Sequence, residues 1–338
     1  MRALGVCYDT GFVHRGNSTH EPFDPDAVLR DMRAIRRDLH CDAVRITGGY
    51  VDRLKQAATL AADVGLEVWL CPFVNGVTQE HLLELVADLA EFAERLRTGG
   101  ANVVLAVGSE LSLFVDGFLP GADFEQRAAA LVTPEGRAAM ADLPIVFNEF
   151  LGRASAIARE RFRGRLTYCC LPFEQVDWEP FDLLATDAGY RSAALIDSYP
   201  ELMRTYVAEG AKLEKPVAVT EFGCVTYRGA ADKADRGVDV VHWDTDTATP
   251  LRLNGTYARD EQAQAAHLLE MLDILDEAGI DTAFWYCFSR PDLVHRDDPA
   301  LDLDLASGGL VKVFDSIDGA AKTWAPKLAF TALANRSR

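Results

Sequence analysis

The chain has 338 residues, 49% of them hydrophobic, and carries 52 acidic against 34 basic residues, for a formal net charge of −18 at pH 7. This length and composition allow a large buried core. The negative charge argues against nucleic acid or an anionic membrane as the main partner, because both repel an acidic surface. No stretch of the sequence reaches the roughly 18 consecutive apolar residues that a membrane helix requires.

Short apolar or β-branched runs alternate with amphipathic segments along the whole chain, which is typical of a parallel sheet covered by helices. Eight runs are predicted strands: Ala3–Tyr8, Asp42–Thr47, Glu67–Phe73, Asn102–Gly108, Leu166–Leu171, Leu183–Thr186, Pro216–Phe222 and Thr282–Phe288. Four of the intervening segments are predicted helices: Pro25–Leu39, Tyr50–Val64, Thr78–Arg97 and Asp260–Glu277. Eight β/α repeats predict an α/β fold, a single (β/α)8 TIM barrel that occupies residues 1–338.

An open doubly wound sheet is the competing architecture. Such a sheet normally carries a glycine-rich nucleotide fingerprint after its first strand. Here Tyr8-Asp9-Thr10-Gly11-Phe12 follows instead, and neither GxGxxG nor GxxxxGK[ST] occurs anywhere. Long loops are expected after strands 4, 7 and 8, where the chain runs through 110–166, 224–257 and 291–310. Each follows the C-terminal end of a strand, which is the face where barrel enzymes build their sites.

The cysteines indicate the compartment. Their number is odd, and the sequence contains no CxxC pair and no Cys/His cluster at zinc spacing, so reduced core cysteines are expected rather than disulfides or a metal site. The first strand-like run begins almost at Met1, which leaves no room for a secretory signal. We therefore expect a cytoplasmic protein. The seven cysteines are Cys7, Cys41, Cys71, Cys169, Cys170, Cys224 and Cys287.

Two glutamates stand at the ends of predicted strands. Glu110 follows the fourth run, and Glu221 lies near the end of the seventh. Because all parallel barrel strands deliver their C-terminal ends to one face, the two side chains are expected to share one mouth. A retaining glycosidase needs one protonated carboxyl and one ionised carboxylate held roughly 5–5.5 Å apart. The pair supplies candidates for both, although an acid at such a boundary is also often only solvated.

Other strand ends carry polar or aromatic candidates for substrate contact. Arg45 on strand 2 offers a fixed cation that can keep a neighbouring carboxylate ionised. Trp285 on strand 8 offers a flat face on which the apolar side of a sugar can stack. The structural alternatives are a salt bridge for Arg45 and a core position for Trp285. The remaining candidates that follow strand ends are Tyr8, Asp9, Glu174, Asp187, Tyr190 and Trp243.

In these positions the sequence resembles the clan A glycoside hydrolases, which are (β/α)8 barrels with catalytic glutamates after strands 4 and 7. The resemblance implies that Glu110 is the acid/base and Glu221 the nucleophile of a retaining enzyme, with no cofactor and no metal. It also implies that Arg45 and Trp285 belong to the subsite where the bond is cut, and that a tyrosine, here Tyr190, donates a hydrogen bond to the nucleophile.

One position departs from the clan pattern. The clan usually has asparagine immediately before the acid/base glutamate, where its amide bonds the sugar 2-hydroxyl, and this chain has Ser109. A serine hydroxyl reaches less far, so a weaker or altered contact with the substrate is expected at Ser109. The opening segments Tyr8–Phe12 and Glu21–Asp24 also resemble bacterial sequences catalogued as abortive infection proteins, a description that specifies no chemistry.

Two alternatives to a glycosidase remain. One is a metal-dependent barrel isomerase or hydrolase with Glu110, Glu174, Asp187 and Glu221 as oxygen ligands. No histidine stands beside these strand ends to support it. The other is a barrel that binds carbohydrate or a partner without turnover, since a fold does not guarantee chemistry. The expected partner in the favoured interpretation is a small glycoside or glycosylated metabolite, and the resemblance to the clan implies a β-linked substrate.

Overall fold

The computed structural model describes residues 1–316 and 321–336. Within these residues, eight parallel strands pair in sequence order, and the eighth pairs with the first to close a barrel. The strands are β1 Ala3–Asp9, β2 Ala43–Gly48, β3 Glu67–Pro72, β4 Val103–Ser109, β5 Arg165–Cys170, β6 Leu184–Thr186, β7 Val217–Phe222 and β8 Thr282–Trp285. The predicted (β/α)8 barrel is confirmed.

Helices follow most of the strands and cover the outside of the barrel. They are α1 Pro25–Arg37, α2 Val51–Asp63, α3 Gln79–Thr98, α4 Leu111–Phe114, α5 Phe124–Ala130, α6 Pro134–Arg161, α7 Tyr199–Lys212, α8 Glu261–Ala278 and α9 Leu328–Arg336. Local sequence sets several of their starts, because the side chains of Asp24, Thr78 and Asp260 cap the first turns of α1, α3 and α8. Over the described part of the chain, no helix is long and apolar enough to cross a membrane.

The strand boundaries lie within one residue of those predicted, except at the end of β8. That strand ends at Trp285 rather than Phe288, because its register with β7 shifts between Ala283 and Trp285 and the regular ladder stops there. The loops at the C-terminal face add three hairpins: Val13–His14 with Asn17–Ser18, Val241–Trp243 with Pro250–Leu253, and Val311–Phe314 with Thr323–Pro326.

The strands are buried on both faces, which separates the apolar side chains into two layers. One face packs against the helices and includes Phe222 and Trp285. The other fills the barrel interior and includes Trp69 and Phe284, whose ring centroids lie 5.0 Å apart. A small cluster of Cys71, Ala106 and Cys169 also forms inside the barrel. The sulfur of Cys71 also lies 3.7 Å from Nη2 of Arg45 at the barrel mouth.

A buried acid ties three strands together at the opposite end of the barrel. Glu67, the first residue of β3, accepts hydrogen bonds from both terminal nitrogens of Arg2, at 2.9 and 3.0 Å, and from Arg165 at 2.7 Å. The indole nitrogen of Trp69 donates a fourth bond at 2.8 Å. Burial raises the pKa of Glu67, but these hydrogen bonds and the two positive charges outweigh burial and leave the pKa below its ordinary value.

We predict that Glu67→Gln lowers the free energy of unfolding by about 1–3 kcal/mol near neutral pH, because hydrogen bonds to a charged acceptor are lost. A carboxylate with a depressed pKa stabilises the fold above its ordinary pKa of 4.5 and loses that effect as pH falls through the lower folded value. The difference in free energy of unfolding between the variant and the wild type should therefore become smaller at acidic pH. Urea denaturation measures it, with Glu80→Gln on the surface as the control; equal stability of all three proteins would contradict the prediction.

Candidate active site

A fully buried arginine lies at the centre of the barrel mouth. Arg45 points inward from β2, and its Nη1 donates to Glu221 Oε1 at 2.6 Å while Nη2 donates to Ser109 Oγ at 2.8 Å. The Sγ atoms of Cys7 and Cys71 each lie 3.7 Å from the guanidinium. One cation therefore links the ends of β4 and β7, the two strands that carry the predicted glutamates.

A third acid joins this group from the end of β6. Asp187 is 5% exposed and accepts hydrogen bonds from Ser109 Oγ at 3.0 Å and from Thr220 Oγ1 at 2.6 Å. Ser109 thus accepts from Arg45 and donates to Asp187, so a continuous chain of hydrogen bonds runs from Glu221 through the guanidinium to Asp187. The structure brings together four of the predicted site residues, on β2, β4 and β7 and after β6.

Glu221 is held by two donors at the inner edge of the mouth. Besides Arg45, the phenol of Tyr190 donates to its Oε2 at 3.3 Å. Burial raises the pKa of Glu221 to about 7, the charge of Arg45 works in the opposite direction, and the negative charge of Asp187 adds to the increase. At neutral pH a substantial fraction of Glu221 is therefore ionised, and the nearby guanidinium stabilises that form.

Glu110 stands where β4 turns into the short helix α4. Its backbone adopts the left-handed conformation, with φ of 52°, and its carbonyl accepts from the amide of Leu113 at 3.0 Å. Burial raises the pKa of its carboxyl well above the ordinary value, and the negative charges of Asp187 and Glu221 raise it further. The Arg45 charge opposes this only in part. Glu110 therefore holds a proton under conditions in which Glu221 begins to ionise.

The predicted substrate contact Glu174 is fully buried and satisfied by the protein. Its carboxyl oxygens accept from the amides of Ser112 and Leu171, at 3.1 and 2.7 Å, and from Tyr168 Oη at 2.8 Å. Burial raises its pKa to about 7, against the effect of these donors. Since the contacts join the start of α4 to the end of β5, Glu174 supports the turn that carries Glu110, and its burial argues against direct substrate contact.

Two predicted substrate contacts face away from the mouth. Trp285 is fully buried, its Nε1 donates to the carbonyl of Gly308 at 2.8 Å, and its ring packs edge-on against Phe222 in the layer below the helices. Tyr8 is also buried in that layer, where its hydroxyl donates to Asp31 of α1 at 2.8 Å. Successive strand residues point to opposite faces. The expectation that these two side chains face the mouth is therefore corrected.

Their neighbours in the chain occupy the positions expected of them. Tyr286, directly after Trp285, packs against the barrel interior and lines the cavity described below. Asp9, directly after Tyr8, also lines it, and its carboxylate accepts from the amide of Gly11 at 2.8 Å and from the Thr19 hydroxyl. The sequence analysis identified Asp9 but not Tyr286. Because side chains alternate along a strand, the outward position of Trp285 implies that its neighbour Tyr286 faces the interior.

A cavity of about 590 Å³ opens at the C-terminal face beside this group. Its wall includes Trp243, which is 37% exposed on the hairpin after β7 and was predicted to cover the pocket. The catalytic candidates Glu110 and Glu221 are not part of the wall, but Tyr286 is. Burial raises the pKa of Tyr286 well above its ordinary value, and the negative charge of Glu221 adds to this increase, so Glu221 lies near the cavity. Other wall residues are Asp9, Thr47, Phe73, Phe114 and Arg290.

The hairpin after β1 spans the cavity and contacts the loops after β4 and β7. On one side His14 Nε2 lies 2.8 Å from Glu125 Oε1, and Arg15 forms an ion pair with the same carboxylate at 3.3 Å. On the other side Arg15 donates to the carbonyl of Thr245, and the side-chain Nδ2 of Asn17 donates to Thr249 Oγ1 at 3.4 Å. The cavity therefore has a roof made largely of polar contacts.

The arrangement of acids gives little support to a metal centre. Among residues 1–316 and 321–336, no group of three or more histidine, cysteine, aspartate or glutamate side chains is disposed to hold a metal ion. Of the four predicted oxygen ligands in the metal-dependent alternative, Glu174 is occupied by protein donors, and Glu221 and Asp187 are bonded to Arg45 and to the hydroxyls of Ser109 and Thr220.

Neither a protein-family model nor a curated protein matches the chain. Solved structures do match it. A GH113 β-1,4-mannanase aligns with a TM-score of 0.62 at 13% identity, covering 99% of this chain and 98% of the other. A GH113 β-mannanase from Alicyclobacillus acidocaldarius aligns with a TM-score of 0.58 at 17% identity, covering 98% and 96%. A GH5_18 protein from Bifidobacterium longum subsp. infantis aligns with a TM-score of 0.56 at 15% identity, covering 99% and 78%. The chain therefore has the barrel fold of clan A glycoside hydrolases.

Proposed function

We propose that the protein is a retaining glycoside hydrolase that cleaves β-linked small glycosides or glycosylated metabolites in the cytoplasm, with the whole chain as one catalytic domain. Glu110 is the acid/base and Glu221 the nucleophile. The observation that carries the proposal is the contrast between the two acids. Arg45 bonds Glu221 and stabilises its ionised form, whereas burial and two neighbouring negative charges keep the proton on Glu110.

The first step breaks the glycosidic bond. The carboxylate of Glu221 attacks the anomeric carbon, and Glu110 gives its proton to the departing oxygen, so the aglycone leaves as an alcohol and the sugar becomes an ester of Glu221. Arg45 and Tyr190 hold the attacking carboxylate in place before it reacts. Their hydrogen bonds fix its orientation, which lowers the entropic cost of reaching the transition state.

The second step releases the sugar. Esterification removes the negative charge of Glu221, and that charge had raised the pKa of Glu110. The pKa of Glu110 therefore falls, and the carboxylate left after the first step accepts a proton from water as the water attacks the anomeric carbon. The ester bond breaks, Glu221 leaves as a carboxylate, and Glu110 is protonated again, which restores the starting state.

The similar solved structures support the reaction class. The GH113 proteins are β-mannanases, and a Bacteroides uniformis β-glucuronidase also aligns, with a TM-score of 0.57 at 12% identity over 34% of its length. Those activities belong to those proteins. In this chain a buried arginine bonds Glu221 and the residue that precedes Glu110, which supports the proposed double displacement.

We predict that a 2-fluoro β-glycoside with a good leaving group traps a covalent adduct on Glu221, seen by peptide mass spectrometry. The electron-withdrawing fluorine slows hydrolysis of the ester more than its formation when the leaving group is activated. Glu221→Gln should form no adduct and lose at least about 1000-fold in kcat/KM, because the first step has no nucleophile. Wild-type protein that cleaves no member of a broad aryl glycoside panel would instead favour a non-catalytic binding barrel.

We predict a bell-shaped dependence of kcat/KM on pH. Activity rises as Glu221 loses its proton, around its pKa of about 7, and falls at higher pH as Glu110 loses its own. Tyr190→Phe removes a donor to the Glu221 carboxylate, so the rising limb should move to higher pH by about half a unit. Arg45→Met should move it further because a positive charge is lost.

A variant of Glu110 tests the assignment of the decrease in kcat/KM at high pH. With a 2,4-dinitrophenyl glycoside, whose leaving group needs no proton, Glu110→Gln should retain the first step and lose the alkaline limb. A limb that persists in this variant would assign the titration to another group and contradict the role of Glu110.

We predict that activity is unchanged after dialysis against EDTA, because the carboxylates of the mouth are bonded to Arg45 and to hydroxyl donors. Rates with and without added Mg²⁺ or Mn²⁺ provide the measurement. Loss of activity in EDTA that either cation restores would support the metal-dependent alternative.

A further inference from the structure

Four phenylalanine rings form one wall of the cavity at the barrel mouth. Phe12 lies in the loop after β1, and Phe73 directly follows β3. Phe114 ends α4 and Phe124 begins α5, and both belong to the long connection after β4. The ring centroid of Phe73 is 5.2 Å from that of Phe12 and 5.0 Å from that of Phe114, and Phe114 and Phe124 stack at 4.8 Å. These are favoured aromatic geometries, so the rings make one continuous apolar surface, the phenylalanine wall.

The charged side chains around the same cavity are largely bonded to one another. Arg290 forms a double hydrogen bond with Asp292, at 2.8 and 2.6 Å. Asp9 accepts from its own loop, and Glu125 is bound by His14 and Arg15 of the hairpin after β1. Because these charges are already paired within the protein, the cavity does not need a charged ligand to compensate them.

One apolar face of a sugar ring could stack on such a surface, but the hydroxyls around the ring would find few polar partners there. Each hydroxyl buried against phenylalanine would lose its hydrogen bonds with water and gain none in return, which is unfavourable. An aromatic or alicyclic group has no such groups to satisfy, and burying it releases water from both surfaces. The volume of about 590 Å³ falls within the range of small-molecule pockets.

The phenylalanine wall is connected to the proton donor. Glu110 precedes α4 directly, and Phe114 is the last residue of that helix. A general acid gives its proton to the oxygen that leaves with the aglycone. The part of the substrate beyond that oxygen therefore lies on the side of the loop after β4, which is the loop that carries Phe114 and Phe124.

We propose that this cavity is an aglycone site that takes an aromatic or alicyclic group, so that the substrate class is a β-glycoside of an apolar ring alcohol. The proposal rests on the glycosidase function proposed above. It adds that specificity comes from the phenylalanine wall rather than from a row of sugar subsites.

The test separates binding from catalysis. Binding of 2-naphthylmethanol to wild-type protein is measured by titration calorimetry, and kcat/KM is compared for the 2-naphthylmethyl and methyl β-glycosides of a sugar that the enzyme cleaves as its p-nitrophenyl glycoside. Both aglycones are primary alcohols, so the intrinsic leaving ability is similar. We expect measurable binding and at least a tenfold preference for the naphthylmethyl glycoside.

Variants of the phenylalanine wall assign the effect to this cavity. Phe12→Ala and Phe124→Ala should each weaken naphthylmethanol binding about tenfold, and Phe124→Leu, which keeps an apolar side chain, should lose less. Phe92→Ala, on α3 and outside the cavity, is the matched control and should bind as wild type. Thermal melting curves verify that each variant is folded.

The outcomes distinguish this inference from the proposed function. Cleavage of both glycosides at equal kcat/KM, or naphthylmethanol binding that Phe12→Ala and Phe124→Ala leave unchanged, would overturn the apolar aglycone site and leave the glycosidase standing. Naphthylmethanol binding that depends on the phenylalanine wall, with no hydrolysis of any glycoside, would overturn the glycosidase and retain the cavity as an apolar ligand site.

Discussion

The mouth of this barrel is organised by one buried guanidinium. An unpaired cation is costly to bury, so acceptors must surround Arg45. It bonds Glu221 on one side and Ser109 on the other, and Ser109 connects it to Asp187. Burial raises the pKa of both Glu221 and Glu110, and the charge of Arg45 opposes this increase at each of them. Glu221 accepts a hydrogen bond from the guanidinium, whereas burial and the negative charges of Asp187 and Glu221 raise the pKa of Glu110 well above its ordinary value, so the two glutamates differ chemically.

Most of the fold could be predicted because a parallel barrel has simple sequence rules. Its strands are buried on both faces and read as short, nearly continuous apolar runs, and turns and helix caps separate them. Even the three-residue strand Leu184–Thr186 was recognisable within one residue. The end of β8 was not, since the apolar run continues to Phe288 while the register with β7 shifts after Ala283. The hydrogen-bond register between two strands cannot be read from the residue types of either strand.

The site was predictable only in part, for the same reason. Strand ends indicated Arg45, Glu110 and Glu221 as candidates, because the fold brings the C-terminal ends of all strands to one face. The direction of the neighbouring side chains could not be predicted in the same way. In a strand that is apolar on both faces, the sequence does not show which residues point inward, and Tyr8 and Trp285 were assigned to the wrong face. The phenylalanine wall comes from separate loops, so only tertiary structure assembles it.

The hairpin after β1 has a mechanical consequence. Arg15 contacts Glu125 beyond β4 and Thr245 beyond β7, so segments more than a hundred residues apart are joined above the opening. One short hairpin therefore holds both segments over the opening. Since its ion pairs are exposed, mobile ions weaken them. Salt therefore weakens the contacts that hold this hairpin over the opening, whereas the buried hydrogen bonds around Arg45 are screened much less.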